Sequence, residues 1–108
     1  MALITLYHAT DGDNEESILK RGILARFEGV YLTDSEESAT RWIGFRLKTR
    51  GKQKMSVFRV EVEESLLEEG TDHSPMMVQI FGVGKSLLYP KTIPPALIKE
   101  VTQYDINN

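Results

Sequence analysis

His8 is the residue of this sequence best placed to do chemistry. It ends a short run of β-forming residues and is followed by the small Ala9 and the hydroxyl of Thr10. An imidazole at the end of a strand, beside a small residue and a hydroxyl, lies at a sheet edge where a ligand can approach. The alternative interpretation is a structural histidine, whose ring nitrogens are satisfied by the protein itself.

Two common catalytic motifs do not fit the sequence. It has no Gly-x-Ser-x-Gly, and its two histidines, His8 and His73, are isolated from each other, which makes an acyl-transfer triad improbable. The segment 82–86, Gly-Val-Gly-Lys-Ser, is similar to the end of a phosphate-binding loop, but that motif needs a glycine where Gln79 stands. It also needs a long helix after the serine, and Pro90 follows too soon.

Composition narrows the chemistry further. The chain has no cysteine, which excludes disulfides, thiolate catalysis and cysteine-ligated metal sites. Two histidines 65 positions apart match no metal-ligand spacing, so we expect a metal-independent protein.

At 108 residues the chain is expected to form one domain over residues 1–108. No apolar run is long enough to span a bilayer, and the N-terminus lacks the pattern of a signal peptide, so we expect a soluble, cytoplasmic protein.

Charge is distributed unevenly along the chain. The net charge is only −3, from 13 basic and 16 acidic residues, which does not indicate general nucleic-acid binding. Between Arg41 and Lys54, however, every charged residue is basic, and we call residues 41–54 the basic strip. Between Glu61 and Asp72 every charged residue is acidic. These stretches are either solvated faces or, for the basic strip, a surface that docks a phosphate-bearing or acidic partner.

The first half of the chain predicts two strands and two helices in alternation. Residues 3–8 and 29–33 are β-forming runs. Asp13 is expected to cap a two-turn helix that ends at Gly22, with Ile18 and Leu19 as its buried stripe and Ile23 and Leu24 packing again after it. Asp34 or Ser35 is expected to cap a second helix ending near residue 50, with an apolar face comprising Ala39, Trp42, Ile43 and Leu47.

The second half predicts mostly strands. Apolar residues alternate from 57 to 62, which indicates a strand with one apolar face. Residues 64–69 suit one helical turn, 70–75 a loop, and 76–81 and 86–89 two further strands. Pro94 and Pro95 exclude a central strand there, and residues 97–104 form a turn or strand that closes the sheet. The expected fold class is α+β, with the helices near the N-terminus.

Four segments in this order carry a resemblance to a known family. They are Leu6-Tyr7-His8-Ala9-Thr10, Glu16 to Ile23, Gly29-Val30-Tyr31-Leu32-Thr33-Asp34, and Glu37-Ser38-Ala39. The order resembles the NAD-dependent ADP-ribosyltransferases of the diphtheria-toxin and poly(ADP-ribose) polymerase type, including small stand-alone relatives carried by bacteria and phages. The resemblance covers roughly residues 3–45, with a weaker match at Ile93-Pro94-Pro95-x-Leu97-Ile98. It implies a single-domain split β-sheet with two short helices near the N-terminus.

The resemblance also implies roles for individual residues. His8 would hydrogen-bond the adenosine ribose of NAD, and Tyr31 would stack on the nicotinamide ring. The cofactor-binding residues that it implies are His8, Ala9, Thr10, Tyr31, Thr33 and Ser38. Ala9 departs from the family's usual glycine, which would crowd the nicotinamide amide. The alternatives are a buried strand aromatic for Tyr31 and an ordinary helix residue for Ser38.

The family's glutamate, at the start of a late strand, has no counterpart here. It bonds the nicotinamide ribose 2′-hydroxyl and favours the developing oxocarbenium cation. Aligning the chain on its Ile-Pro-Pro segment places that position near Ser86, and an alternative alignment places it at Lys91. Gln79 could make the hydrogen bond without the charge. The catalytic residues implied are therefore His8, Tyr31, Gln79 and Ser86, and polymer formation is not expected.

Three functions follow from the resemblance. The first is a mono-ADP-ribosyltransferase that uses NAD as substrate, without a metal, to modify a macromolecular target, a protein rather than a nucleic acid, with the basic strip as a docking surface. The second is a non-catalytic relative that binds NAD or ADP-ribose, or masks a partner protein, because the glutamate is missing. The third is an RNA 2′-phosphotransferase, for which the basic strip is the only indication. No membrane association is expected.

Overall fold

A computed structural model describes residues 3–25, 29–69 and 86–106 of the chain. The predicted loop 70–75, the predicted strand 76–81 and Gln79 lie outside these ranges. The described residues form one α+β domain, as the sequence predicts, with both helices in the first half of the chain.

The first half alternates strands and helices. Strand β1 spans Leu3–Asp11 and helix α1 spans Glu15–Arg21, with a 3₁₀ turn at Gly12–Asn14 between them. Strand β2 spans Val30–Thr33, and helix α2 spans Glu36–Thr49. The two predicted strands and two predicted helices are confirmed, although β1 extends three residues beyond His8.

The described part of the second half adds four strands. Strands β3 and β4 span Lys54–Glu63 and Glu68–Glu69, and a 3₁₀ turn at Glu64–Leu66 separates them. The helical turn predicted for residues 64–69 therefore covers only its first half, because Glu68 and Glu69 pair with β5. Strand β5 spans Ser86–Tyr89, as predicted, and strand β6 spans Ile98–Asp105 after a 3₁₀ turn at Pro95–Leu97. The predicted closing segment is therefore a strand.

The six strands of the described residues form one sheet in which every neighbouring pair is antiparallel. Its order is β4-β5-β2-β1-β3-β6. Strand β3 lies between β1 and β6, and β1 pairs with it along its whole length, from Leu3 opposite Glu63 to Asp11 opposite Met55. Strand β1 is thus an interior strand and His8 lies within it, so the expectation that His8 ends a strand at a sheet edge is wrong.

The sheet is covered on both faces, because alternate residues of β1 and β3 belong to different hydrophobic clusters. Leu6 and Phe58 lie in the first cluster, against which Ile18 of α1 packs. Ala9 and Val57 lie in the second, with Ala39 of α2. The sequence predicted one apolar face for β3; helix α2 buries the other face as well, since Met55 and Val57 are each 2% exposed.

Three local predictions about α1 are wrong. The residue that precedes α1 is Asn14, and it makes no side-chain cap hydrogen bond. The backbone N–H of Asp13 instead donates to the carboxylate of Asp11, which caps the preceding 3₁₀ turn. Leu19 is exposed because a seven-residue helix buries only a narrow stripe, which Ile18 fills. After the helix Ile23 is buried as predicted, but Leu24 is exposed.

Gly22 ends α1 as predicted, at a close approach between two backbones. Its φ is +87°, and a Cβ there would meet the carbonyl oxygen of Ile93 at 2.2 Å. Ile23 and Ile93 form an isolated bridge with hydrogen bonds of 2.8 and 2.9 Å, and both are buried. This contact fixes the end of α1 against the segment that follows β5.

Helix α2 begins and ends as its residues predict. Ser35 is its N-cap and accepts a hydrogen bond from the backbone N–H of Ser38, so the second of the two candidate caps is the one used. Ala39 and Leu47 are buried, and Ile43 packs against the same cluster. Among the described helices, neither is long and apolar enough to cross a membrane.

Candidate functional site

The candidate site lies at a gap in the sheet between β1 and β2. These strands pair at one position, Tyr7 opposite Thr33, whereas β1 pairs with β3 at nine. Beyond Tyr7, residues 8–11 of β1 keep their pairing with β3 and have no ladder partner in β2. A side chain of β1 can therefore fill the space between the two strands.

His8 bridges this gap. Its Nδ1 lies 3.0 Å from the carbonyl oxygen of Tyr31, a group that can only accept. The Nδ1–H must donate, so in the neutral ring the Nε2 carries the lone pair and can accept a hydrogen bond from a ligand. Burial lowers the pKa of His8 below its ordinary value of 6.5, and the bond to Tyr31 acts in the opposite direction without outweighing it. The imidazole is therefore neutral at pH 7.

A cavity of about 1040 Å³ opens at the gap. It is large enough to hold a dinucleotide-sized ligand. Five of the residues predicted from the sequence line it: His8, Ala9, Thr10, Tyr31 and Thr33. These residues are up to 25 positions apart in the chain, and the antiparallel neighbours β1 and β2 bring them to one place.

Thr10 has a hydrogen-bonding neighbour that sequence analysis missed. The side-chain amide of Asn14 donates to the Thr10 hydroxyl oxygen at 3.1 Å, and both residues line the cavity. This bond leaves the Thr10 O–H able to donate to a ligand. The sequence signal that could have indicated this hydrogen bond is the four-residue spacing of Thr10 and Asn14 across a predicted turn.

Ser38 is not brought to the cavity. It is 6% exposed, and its hydroxyl accepts a 2.8 Å hydrogen bond from the Ser35 hydroxyl inside the N-cap of α2. It is not among the residues that line the cavity. In the structure Ser38 contributes to the N-cap of α2, the helix that covers one face of the sheet.

Ser86 begins β5 and pairs in register with Thr33, which lines the cavity. The first residue of β5, where the resemblance assigns a glutamate, thus lies next to β2, the strand that carries Tyr31 and Thr33. The alternative position, Lys91, is exposed and follows the end of β5. Gln79 lies outside the described residues.

Part of the basic strip lines the same cavity, which the sequence did not indicate. Arg46, Arg50 and Lys52 contribute to its wall, and among the described lining residues Asp11 is the one acid. Lys52 forms an ion pair with Asp11 at 3.1 Å. Arg41 pairs instead with Glu37 one turn earlier on the exposed side of α2. The strip is therefore divided between a solvated face and the cavity wall.

The remaining wall is apolar and comes from both faces of the sheet. Ile18 and Ile23 contribute from the side of α1, and Ala39, Ile43 and Leu47 from α2. Within residues 3–25, 29–69 and 86–106, no three His, Asp or Glu side chains are grouped so as to hold a metal ion.

Comparison with known proteins finds no family model and no curated protein that matches this chain.

Proposed function

We propose that this protein is an NAD-dependent mono-ADP-ribosyltransferase-like protein that acts on a macromolecular target, and that its sheet is the split sheet of that family. The observation that carries the proposal is the cavity at the gap between β1 and β2, lined by His8, Thr10 and Tyr31. These are residues to which the resemblance assigns NAD contacts. The net charge of −3 favours a protein over a nucleic acid as the target.

His8 suits a ribose-binding role. Its Nε2 is the acceptor of the neutral ring, because Nδ1–H is engaged with the Tyr31 carbonyl at 3.0 Å. A ribose hydroxyl can donate to that nitrogen. The bond to β2 also fixes the ring orientation before a ligand arrives, which lowers the entropy lost on binding.

Tyr31 and Thr10 suit the nicotinamide end of the ligand. Tyr31 is half-buried and lines the cavity, so its ring can stack on a flat heterocycle. Thr10 and Thr33 line the same space and carry hydroxyls that can hydrogen-bond a carboxamide, and Ala9 lines it as well.

The position of Ser86 indicates that transfer would be slow. Breaking the bond between nicotinamide and ribose develops positive charge on the ribose, and a carboxylate near that ribose favours it. A serine begins β5, so this chain has no carboxylate at that position. Loss of one preorganised electrostatic contact lowers the rate by about 10²–10³.

A second function, binding of NAD or ADP-ribose without turnover, is favoured by the same serine. The cavity, the neutral imidazole and the cationic wall suit a bound dinucleotide whether or not its glycosidic bond is broken. In that case the protein would sequester the nucleotide or present it to a partner protein.

Nicotinamide release and calorimetric binding separate the two functions. The proposal predicts that purified protein at high concentration releases nicotinamide from NAD, that Tyr31→Ala reduces NAD affinity about tenfold, and that Tyr31→Phe retains most of it. Mass spectrometry of lysate proteins incubated with the enzyme and NAD should then show an added ADP-ribose. Binding without release would support the second function. Absence of both binding and release would exclude both functions.

A further inference from the structure

Two elements supply cationic side chains to the cavity at the end of β1. Arg46 lies in the last turn of α2, Arg50 is the C-cap residue four positions later, and Lys52 comes from the loop after it. All three line the cavity that also contains His8 and Tyr31. Residues four apart on a helix face the same side, so α2 presents its two arginines together.

Lys52 is held in place by β1. Its Nζ lies 3.1 Å from one carboxylate oxygen of Asp11, and the other oxygen accepts the Asp13 backbone N–H at 3.0 Å. These bonds, the Asp13 N–H first and then Lys52, lower the pKa of Asp11, although partial burial opposes them. Both oxygens of this carboxylate thus have partners, and the described residues that line the cavity include three cations and one acid.

We propose that Arg46, Arg50 and Lys52 bind the diphosphate group of the nucleotide in the cavity, so that the site selects a ribose 5′-diphosphate unit over a nucleoside without phosphates. The inference deepens the proposed function and relies on it for the ribose at His8. Guanidinium groups match phosphate oxygens in a bidentate geometry, and an ammonium adds a point charge.

The gap between β1 and β2 opens a path between the two faces of the sheet. Asp11, which anchors Lys52, is three residues beyond His8 on β1, about 10 Å at 3.3 Å per residue, and side chains three apart in a strand leave opposite faces. Both residues nevertheless line one cavity, because residues 8–11 have no ladder partner in β2. A nucleotide with its ribose at His8 would extend its phosphates through this gap to the cationic wall.

A simpler explanation of these arginines is that cations near a helix C-terminus complement the helix dipole. Lys48 tests that explanation, because it lies in the same last turn of α2 and is exposed like Arg46 and Arg50, but is not among the cavity-lining residues. A general effect of positive charge on α2 would involve Lys48 as much as Arg50.

The experiment is calorimetric titration of ADP-ribose and of inorganic pyrophosphate into the full chain and three variants, Arg50→Ala, Lys52→Ala and Lys48→Ala. Far-ultraviolet circular dichroism confirms that each variant is folded. We expect Arg50→Ala and Lys52→Ala each to weaken ADP-ribose binding about tenfold, the usual effect of losing one charge-assisted hydrogen bond. Lys48→Ala should change it less than twofold.

Each outcome distinguishes this inference from the proposed function. Equal weakening by all three variants, or unchanged affinity in Arg50→Ala and Lys52→Ala, would overturn the diphosphate assignment, even if NAD is turned over. Lack of ADP-ribose and pyrophosphate binding by the unmodified chain would also overturn it. Selective loss in the two cavity variants without any nicotinamide release supports the assignment and excludes only the transferase function.

Discussion

The imidazole of His8 donates a 3.0 Å hydrogen bond from Nδ1 to the carbonyl oxygen of Tyr31, across the gap where β1 and β2 are no longer paired. The bond replaces a backbone ladder contact with a side-chain contact, so it keeps the two strands connected while leaving space between them. It also decides the tautomer, because the carbonyl cannot donate. The same ring therefore links the two strands and, as part of the cavity wall, has Nε2 as the acceptor nitrogen of its neutral form.

Stability should decrease at low pH because of His8. Its pKa is lower in the folded chain than the ordinary value of 6.5, so the folded state binds fewer protons than the unfolded state. The contribution of the neutral His8 ring to the free energy of unfolding is complete above about pH 6.5. It is lost as the pH falls through the pKa of His8 in the folded state. His8→Gln retains an N–H donor but cannot titrate. Lowering the pH from 7 to 5 should decrease the Tm of the unmodified chain more than that of the variant, as measured by thermal unfolding.

The comparison of the two proteins isolates His8, since their other titratable groups are identical. Each kcal/mol of difference corresponds to about 4 °C or more in a domain of this size. If the Tm of the two proteins changed with pH in the same way, the His8 ring would be as easily protonated in the folded chain as in the unfolded one, which would contradict the prediction.

Ser86→Glu should increase the rate of nicotinamide release if the strand start of β5 is the position where the family carries its glutamate. Ser86 pairs with Thr33 of the site strand β2. A carboxylate there would favour the positive charge that develops on the ribose, and we expect an increase of about tenfold or more.

Ser86→Gln is the matched control, because glutamine has the size and the hydrogen-bonding oxygen of glutamate without its charge. The measurement is nicotinamide release from NAD at saturating concentration. Equal rates for the Glu and Gln variants would show that charge at this position does not contribute to bond cleavage.

Gly22→Ala should destabilise the protein more than Gly51→Ala. Both glycines have positive φ, +87° and +75°, so both substitutions introduce backbone strain of about 1–2 kcal/mol. A Cβ at Gly22 would also meet the Ile93 carbonyl oxygen at 2.2 Å, whereas none of the described atoms lies within 4 Å of a Cβ at Gly51.

Urea unfolding measures the difference in the free energy of unfolding. We expect Gly51→Ala to cost about 1 kcal/mol and Gly22→Ala at least about 2 kcal/mol more, because the backbones of residues 22 and 93 must separate. Equal decreases in the free energy of unfolding for the two variants would indicate that the segment around Ile93 moves away from residue 22 without loss of stability.

Much of the local structure could be predicted from the sequence. Gly22 marks the end of α1, Ser35 begins α2, and alternating apolar residues define β3. The local prediction failed at Asp13, where a short 3₁₀ turn capped by Asp11 comes before the helix. Asp11 and Asp13 have equally suitable side chains, so their types alone do not choose between them.

The cavity could be predicted only in part. His8, Thr10 and Tyr31 were identified from their types and order, and they line one space. Ser38 was identified by the same reasoning and lies in a helix cap instead. The difference arises because residue type does not specify which side of a helix or strand meets a gap between strands.

By itself the sequence determined both described helices, the longer strands, their order and the residue types of the candidate site, because capping, turns and hydrophobic period act over a few neighbouring residues. The tertiary structure decided where β1 and β2 separate, that His8 spans the space between them, and that Arg46, Arg50 and Lys52 reach the cavity containing His8. Strand register and helix placement depend on packing between residues distant in the chain, which no local pattern encodes.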